Sequence, residues 1–259
     1  MNNALQDLVN SIKMLPMSLF FAWGDTLARY HRSVLGPIWL VLGTAIGTIG
    51  LGILWAKLLH IELAMFIPSL AIGLVVWQLI AGSVIEGSTA LIKNSKLIRN
   101  VKTPYLVFPV QVLLRQIINF LHNFSLVVLV LIVFPPSLNW SALLLIPNLF
   151  LVIMNLLWMI LLLGMFAARY RDIEQLVTAA MPILFFLSPV IYQPEQLGAK
   201  AALVWINPFS YMISLLRYPL QGAVCPTFVY TVMILMLISG WLFALWVLNK
   251  KYARIAFWV

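Results

Sequence analysis

Three side chains that can carry a charge lie inside apolar stretches of the sequence and could do chemistry there: Glu86, Arg115 and His122. A guanidinium at such a depth needs a carboxylate, backbone carbonyls or water as a partner. Glu86, on the neighbouring stretch, is the nearest candidate. We therefore expect Arg115 to form a structural pair with Glu86 or to contact a polar substrate. The way in which the helices that carry these side chains pack together distinguishes a structural pair from a substrate contact.

Other arrangements that carry chemistry are absent from the sequence. Neither G-x-x-x-x-G-K-[ST] nor G-x-G-x-x-G after a strand pattern occurs, so neither phosphate-binding loop is present. The three histidines are scattered, which argues against a metal site. Membrane-embedded proteases and transferases need paired acids or a Ser–His or Ser–Lys pair, and ion-coupled carriers need carboxylates near the midplane. We expect neither class.

The composition indicates that the bilayer is the solvent for most of the chain. Of the 259 residues, 63% are hydrophobic and 9% are charged, whereas soluble domains are about 45–50% apolar and about 25% charged. Each transmembrane helix needs about 20 apolar residues. The sequence therefore predicts an all-α integral membrane protein with six spans, at about 34–57, 64–91, 104–133, 141–167, 175–192 and 227–248.

The 16 Lys and Arg residues are unevenly distributed between the predicted connections, and twelve of them fall in the N-terminal segment, the second and fourth connections and the tail. By the positive-inside rule, both termini are cytoplasmic. The excess over 7 Asp and Glu thus reflects topology rather than a nucleic-acid partner. The single cysteine, Cys225, excludes an internal disulfide framework, and we expect no cleavable signal sequence at the N-terminus.

Two segments outside the spans have a pattern of their own. Residues 1–33 form a cytoplasmic N-terminal segment before the single six-span domain of 34–259, and apolar residues recur at helical spacing over 5–21. This spacing predicts an amphipathic helix in the cytoplasmic interface, the alternative being a frayed leader. The apolar, proline-broken connection after the fifth span predicts two short re-entrant helices on the outer side, near 197–205 and 208–221, or else a packed outer loop.

Five short stretches, of which two form a pair, resemble four motifs of one transporter family. Residues 30–39 (YHRSVLGPIW) resemble R-Y-x-x-S-x-L-G-P-x-W, and 91–104 (LIKNSKLIRNVKTP) resemble N-x-x-L-I-x-x-V-x-x-P. Residues 169–173 (RYRDI) and 185–192 (FFLSPVIY) resemble R-[FY]-R-D-I … S-P-[IV]-x-Y, and 207–209 (NPF) fall where the family keeps N-P. In this order, the stretches are similar to the membrane subunit of type-2 ABC exporters of bacterial cell-surface polysaccharide, such as O-antigen, capsule or teichoic acid.

The resemblance implies a homodimer in the bacterial inner membrane that works with two copies of a separate ATP-binding cassette subunit. ATP and Mg²⁺ would bind that subunit, and we expect no cofactor or metal in this chain. The family docks the ATP-binding subunit on the connection at 92–103, where Ile98, Arg99 and Val101 are the expected contacts. The alternative is a generic positive-inside loop. Recognition of a specific glycan terminus is expected on the partner.

A polysaccharide has apolar sugar faces, so we expect it to slide past aromatic rings rather than be gripped by charges. The first and fifth spans and the outer re-entrant segment would line the channel, with glycines thinning the first span. The predicted channel residues are Trp39, Trp55, Phe185, Phe186, Tyr192, Trp205 and Tyr211. Aromatic residues also gather at membrane interfaces whatever the function, and Gly43 with Gly47 could instead serve close helix packing.

Arg29 and Arg32 lie at the predicted cytoplasmic surface. They could attract the pyrophosphate head group of a lipid-linked glycan, and anchoring to anionic membrane lipid is an equally good account of them. The expected cargo is a lipid-linked polysaccharide, with O-antigen first. A drug or lipid exporter of the same fold and a channel without an ATPase are the alternatives.

Overall fold

The computed structural model describes residues 3–31, 33–136 and 139–259, and in these ranges the regular elements are all helical. The α-helices are α1 (Asn3–Lys13), α2 (Leu15–Tyr30), α3 (Ile38–Leu59), α4 (Leu63–Ser88), α5 (Ala90–Lys93), α6 (Ser95–Asn100), α7 (Val107–Val133), α8 (Leu145–Arg169), α9 (Asp172–Leu187), α10 (Ala201–Val204), α11 (Pro208–Leu220) and α12 (Thr227–Trp258). Two 3₁₀ helices, Trp140–Leu144 and Pro194–Lys200, precede α8 and α10.

Five of the described helices are long and apolar enough to cross a bilayer: α3, α4, α7, α12 and α8 with its preceding 3₁₀ turn. They coincide with five of the six predicted spans to within a few residues, except that α12 continues ten residues beyond 248. Such helices satisfy their backbone hydrogen bonds internally, which the hydrocarbon core requires. The protein is therefore an integral membrane protein that crosses the bilayer several times.

The remaining predicted span, 175–192, corresponds to the shorter helix α9. It has 16 residues and contains Pro182, so it is about 24 Å long against about 30 Å of hydrocarbon. The helix ends at Leu187 because Ser188 is in the extended region, which is the conformation favoured before a proline such as Pro189. Residues 188–192 thus leave the helix that the sequence pattern predicted for them.

Contacts between the connections define the two ends of the helical bundle. At the basal end, α1 contacts the start of α7 and the last turns of α12, and Arg171 donates to the carbonyl of Trp258. At the distal end, a groove is lined by Ile61 and the first turns of α4, by residues 134–136 and by the segment 191–196. Since Asp172 follows Arg171 and Gln193 donates to Ser69 near the distal start of α4, α9 runs between the two ends as the five long helices do.

Helix α4 lies at the centre of the bundle and α3 at its edge. In their most apolar windows, 67% of the α4 residues are buried, against 17% for α3. α4 packs on α3, α7, α8, α9 and α11. Helix α4 therefore contacts side chains from most of the other helices. Most of the surface of α3, in contrast, is not covered by the described part of the chain.

The N-terminal segment forms two helices rather than the single helix predicted over 5–21. The break falls at Met14, and Pro16 stands in the first turn of α2, where a missing N–H is tolerated. Three apolar side chains of α1, Leu5, Val9 and Ile12, point outward and are exposed, whereas Ala4 and Leu8 pack on the core. Asp7 and Ser11 lie between the apolar positions of the pattern over 5–21, and both are buried against the bundle.

Candidate functional site

Four charged side chains meet between α2, α4 and α7 near the basal end. Nη2 of Arg115 lies 2.5 Å from Oε2 of Glu86, and its Nη1 lies 2.6 Å from Oδ2 of Asp25. Arg29 reaches Oε1 of Glu86 at 3.3 Å, and Gln111 donates to Oδ2 of Asp25 at 3.0 Å. We call Asp25, Arg29, Glu86 and Arg115 the charge cluster. It is electrically balanced and ties α2 to α4 and α7.

The charge cluster shows that Arg115 forms a structural pair, one of the two roles that the sequence left open. The guanidinium is paired with Glu86, as the sequence suggested, and also with Asp25, which the sequence analysis did not consider. Asp25 and Arg29 are four residues apart, so they share one face of α2. This spacing of four residues, together with the lone carboxylate of a nearby span, could have identified Asp25 and Arg29 from the sequence.

A cavity of about 380 Å³ lies beside the charge cluster and is also lined by Lys93, Asn94 and Gln111. Arg29 is the outermost cation of the cluster, with 42% of its side chain exposed. Among the described residues it has one hydrogen-bond partner, Glu86. The cavity therefore offers a partly engaged arginine and a lysine to an anionic group. Arg32, predicted with Arg29, lies outside the described residues.

A second cavity, of about 370 Å³, opens between α3, α4 and α7. We call it the polar cleft. Within it, Gln78 donates to Oγ1 of Thr44 at 2.9 Å, and Asn123 donates to Oε1 of Gln78 at 2.6 Å. Trp39, Gln116 and Asn119 also line it, and Arg29 and Glu86 connect it to the charge cluster. The cleft thus carries neutral amides and an indole ring from the cluster towards the middle of the bundle.

The amides of the polar cleft were missed by the sequence analysis. Arg115, Asn119 and Asn123 follow one another at intervals of four residues, and Gln116 lies beside them, so the polar groups of α7 fall on one side of the helix. Gly82 of α4 makes room for them, since a Cβ there would overlap the side-chain amide of Gln116. A row of polar residues along one side of a spanning helix, with a glycine on the neighbouring span, could have indicated the polar cleft from the sequence.

The connection at 89–106, which we call the basal connection, contains α5 and α6. Of its predicted docking residues, Ile98 is buried in the hydrophobic core, so it anchors the connection and does not present its side chain to a partner. Val101 is exposed, and Nε of Arg99 donates to the carbonyl of Val259 at 2.8 Å. A groove of about 800 Å³ runs between this connection, α1 and the end of α12, and includes Lys13 and Lys102.

A family model described as "ABC-2 type transporter" matches residues 19–220 of this chain. The chain belongs to the ABC-2 type transporter family. It is similar to the "O-antigen export system permease protein RfbA" of Klebsiella pneumoniae, with 24% identity over 192 residues, 73% of this chain and 74% of that protein. A protein of the same name from Myxococcus xanthus is 23% identical over 192 residues, 73% of each chain. The resemblance inferred from the four motifs is thereby confirmed.

Within this ABC-2 type transporter chain, the predicted aromatic residues divide into separate groups. Phe185 and Phe186 meet edge to face at 5.1 Å, and Phe185 packs on Trp77 of α4 at 5.7 Å. Trp205 and Tyr211 meet at 5.1 Å beside Phe228 of α12.

The other three predicted rings lie apart. Trp39 is 57% exposed and lines the polar cleft. Trp55 packs on the small cluster of Phe66 and Leu70, and the hydroxyl of Tyr192 donates to the carbonyl of Leu187 at 3.1 Å. Within one copy of the chain, therefore, the seven residues do not form a single belt.

The glycines of α3 leave an open face on the transporter chain. A Cβ built on Gly43, Gly47 or Gly50 would meet no atom of the described residues within 4 Å. The small-xxx-small pair of Gly43 and Gly47 therefore makes no close helix packing within this part of the chain. The face is free for a second copy, for lipid or for a translocated substrate.

At the distal end, Arg217 of α11 holds the segment that follows α9. The side chain is 3% exposed, and it donates to the carbonyls of Val190 at 2.9 Å and Tyr192 at 3.1 Å. Its Nε has no hydrogen-bond partner among the described residues. Gly73 of α4 allows this approach, since a Cβ there would overlap both the guanidinium and the carbonyl of Val190. Nothing in the sequence pattern had singled out Arg217 for this role.

Proposed function

We propose that this chain is the transmembrane subunit of an ATP-driven exporter that moves a lipid-linked polysaccharide of the O-antigen type across the bacterial inner membrane. The observation that carries the proposal is the polar cleft, in which neutral amides and an exposed indole line a path between spanning helices. Neutral donors and acceptors suit sugar hydroxyls, and an aromatic ring suits an apolar sugar face. The names of the relatives, each matched over about three quarters of its length, point to the same cargo.

The energy for export comes from a separate ATP-binding subunit, which carries ATP and Mg²⁺. The basal end gathers most of the lysines and arginines of the chain, so by the positive-inside rule it faces the cytoplasm with both termini. The ATP-binding subunit docks there on the basal connection, with Arg99 and Val101 at the surface and Ile98 as the buried anchor. ATP-driven closure displaces this connection.

The channel forms between two copies of the chain. Helix α3 is the least buried of the five long helices and carries the open glycine face, so it is the element best placed to meet a second copy or the polymer. Helix α9 is the sixth span, shortened by its early end at Leu187. The 3₁₀ helix, α10 and α11 after it form the re-entrant cap on the periplasmic side.

The lipid carrier presents its pyrophosphate at the cavity beside the charge cluster. Arg29 and Lys93 line this cavity, and both lie near the cytoplasmic surface of the bundle. Cations at that level attract anionic head groups. The glycan attached to the head group then faces the polar cleft, which continues from the cluster past Trp39.

Deleting the gene tests the cargo directly. Lipid-linked glycan should accumulate inside the cell while glycan disappears from the surface, and the intact gene should restore both. The composition of the accumulated material identifies the polysaccharide. Normal surface glycan without internal accumulation would contradict the proposal and favour a drug or lipid exporter. Failure of a stoichiometric ATP-binding subunit to co-purify would favour a channel without an ATPase.

Aromatic substitutions test the channel. The triple change Phe185→Ala, Phe186→Ala and Tyr192→Ala should reduce surface glycan while leaving membrane insertion and co-purification of the ATP-binding subunit intact. Trp246→Ala is the matched control, because Trp246 is an exposed ring on α12 that stacks on Phe243. Unchanged export in the triple variant would rule out an aromatic path at these positions.

A further inference from the structure

The carboxylate of Asp7 joins three elements at the basal end. Asp7 lies on α1 and is 1% exposed. Its Oδ1 accepts a hydrogen bond from the backbone N–H of Tyr105 at 2.9 Å, and its Oδ2 accepts one from the backbone N–H of Leu106 at 3.0 Å. The hydroxyl of Tyr252 on α12 donates to Oδ1 at 3.0 Å. One side chain therefore connects α1, the start of α7 and the end of α12.

The two N–H groups that Asp7 binds lie at the amino-terminal end of α7. Such groups have no partner within the helix, and a negative charge is favoured there by the helix dipole. Leu106, the residue before α7, offers no side-chain cap, so an acid from another helix completes the start of α7. Burial raises the pKa of the Asp7 carboxyl, while the three donated hydrogen bonds oppose that rise.

These contacts lie at the exit of the basal connection, just before it becomes α7. The ring of Tyr105 also packs edge to face on Tyr252, with centroids 5.0 Å apart. Earlier in the connection, Arg99 is bound to the carbonyl of Val259 at the end of α12. The connection is therefore held by α12 at two places, and Asp7 adds α1 as a second support at its exit.

We propose that Asp7 is a positioning residue for energy coupling: it fixes the exit of the basal connection to α1 and α12, so that a displacement of the connection moves α7. This inference rests on the proposed function, in which the ATP-binding subunit displaces the basal connection. Without the Asp7 contacts, the connection still moves, but the first turn of α7 frays and absorbs the displacement. ATP is then hydrolysed with little export.

A cap that serves stability alone predicts a different outcome. Such a cap would change how much folded complex is made, and each assembled complex would export as much glycan per ATP as before. A positioning residue changes that ratio in the complexes that do assemble. The ratio of glycan exported to phosphate released, measured per assembled complex, therefore separates the two roles.

The experiment uses the full chain with its ATP-binding subunit in membrane vesicles, and lipid-linked glycan isolated from the deletion strain as the probe. In Asp7→Ala, which removes all three hydrogen bonds, glycan exported per ATP should fall by about tenfold or more. Tyr252→Phe removes one of the three bonds and should give a smaller fall, of about threefold. Asp7→Asn, which keeps the shape and one acceptor oxygen, should recover part of the loss.

Asp172→Ala is the matched control. Asp172 is an exposed acid in the first turn of α9 at the same end of the bundle, and it should leave the ratio unchanged. Hydrogen exchange gives a second measurement, in which the amides of Tyr105 and Leu106 should lose protection in Asp7→Ala while those of α4 keep theirs.

An unchanged ratio in assembled Asp7→Ala complexes overturns the inference. If that variant does not assemble, unchanged ratios in both Asp7→Asn and Tyr252→Phe overturn it instead. A wild-type complex that shows no ATP-dependent export contradicts the proposed function, and the coupling role with it. Equal ratios in an active wild type and its variants contradict the coupling role alone.

Discussion

At the basal end, Asp7 accepts hydrogen bonds from two backbone N–H groups and a tyrosine hydroxyl. At the distal end, Arg217 donates hydrogen bonds to two backbone carbonyls. Its Nε–H has no partner among the described residues. Both are buried charges that hold a connection in place through its backbone. Both carboxylate oxygens of Asp7 have a donor, whereas one N–H of Arg217 has no acceptor among the described residues. A buried donor left unpaired costs about 1–3 kcal/mol, and more when the group is charged.

This difference assigns different mechanical roles to the two ends. At the basal contacts, including the charge cluster with its two carboxylates around Arg115, every buried charged group of the described residues has a partner, so these contacts resist separation. The distal contact is under-satisfied in the described arrangement, so less free energy is lost when α11 and the segment after α9 move apart. In an exporter, this suits an end that receives a displacement and an opposite end that opens.

The largest expected effect is at the charge cluster. Arg115→Met leaves the partly exposed Asp25 and Glu86 without the cation they share, which should destabilise the protein by about 3 kcal/mol, the lower end of the range for a broken buried pair. The thermal melting temperature of the detergent-solubilised protein measures it. Adding Glu86→Gln to this variant should restore part of the loss, and Lys96→Met, at an exposed cation, is the control. A wild-type melting temperature in Arg115→Met would break the comparison.

A smaller effect is expected at the distal contact. Arg217→Met leaves the carbonyls of Val190 and Tyr192 without their donor but also removes the desolvation penalty of the guanidinium, so the net loss should be about 1–3 kcal/mol. The same melting measurement compares it directly with Arg115→Met. Arg217→Lys keeps the charge and loses the fork that reaches two acceptors, so it should not restore the wild-type value. A loss larger than that of Arg115→Met would contradict the view of the distal contact as the weaker one.

Two glycine substitutions give a matched pair of smaller effect. Gly73→Ala forces a methyl group against Arg217 and the carbonyl of Val190, which should cost about 1–3 kcal/mol. Gly43→Ala meets open space and should be neutral or favourable by up to about 1 kcal/mol, because alanine is the better helix former. Melting temperatures test both. Equal changes at the two positions would remove Gly73 from the distal contact.

The spans were the most predictable part of the fold, because the bilayer demands long apolar helices whatever their partners. The early end of α9 depended on the extended conformation of Ser188, and a hydropathy pattern does not report it. The sequence suggested Glu86 for Arg115 because few acids lie near a span. It missed the inward direction of Asp7 because amphipathic periodicity identifies two faces of a helix and not which of them meets the rest of the protein.

The channel residues remain predictions for a related reason. One copy of the chain places Trp39 in the polar cleft and separates it from the pair of Phe185 and Phe186. Whether such rings face one path depends on how two copies meet, which single-chain periodicity does not encode. The amides of α7 were within reach of the sequence, since their spacing alone places Asn119 and Asn123 on one side of the helix.

The shortness of α9 has a consequence for the work of moving a polymer. In the proposed six-span arrangement, α9 is a span of about 24 Å, shorter than the hydrocarbon core, and a locally thinner bilayer is one way to meet such a mismatch. In such a thinned region, a sugar chain that crosses beside α9 would have fewer residues stripped of water at any moment. Because the cost of dehydrating hydroxyls grows with their number, a shorter barrier lowers the resistance to each step of the chain, whatever its total length.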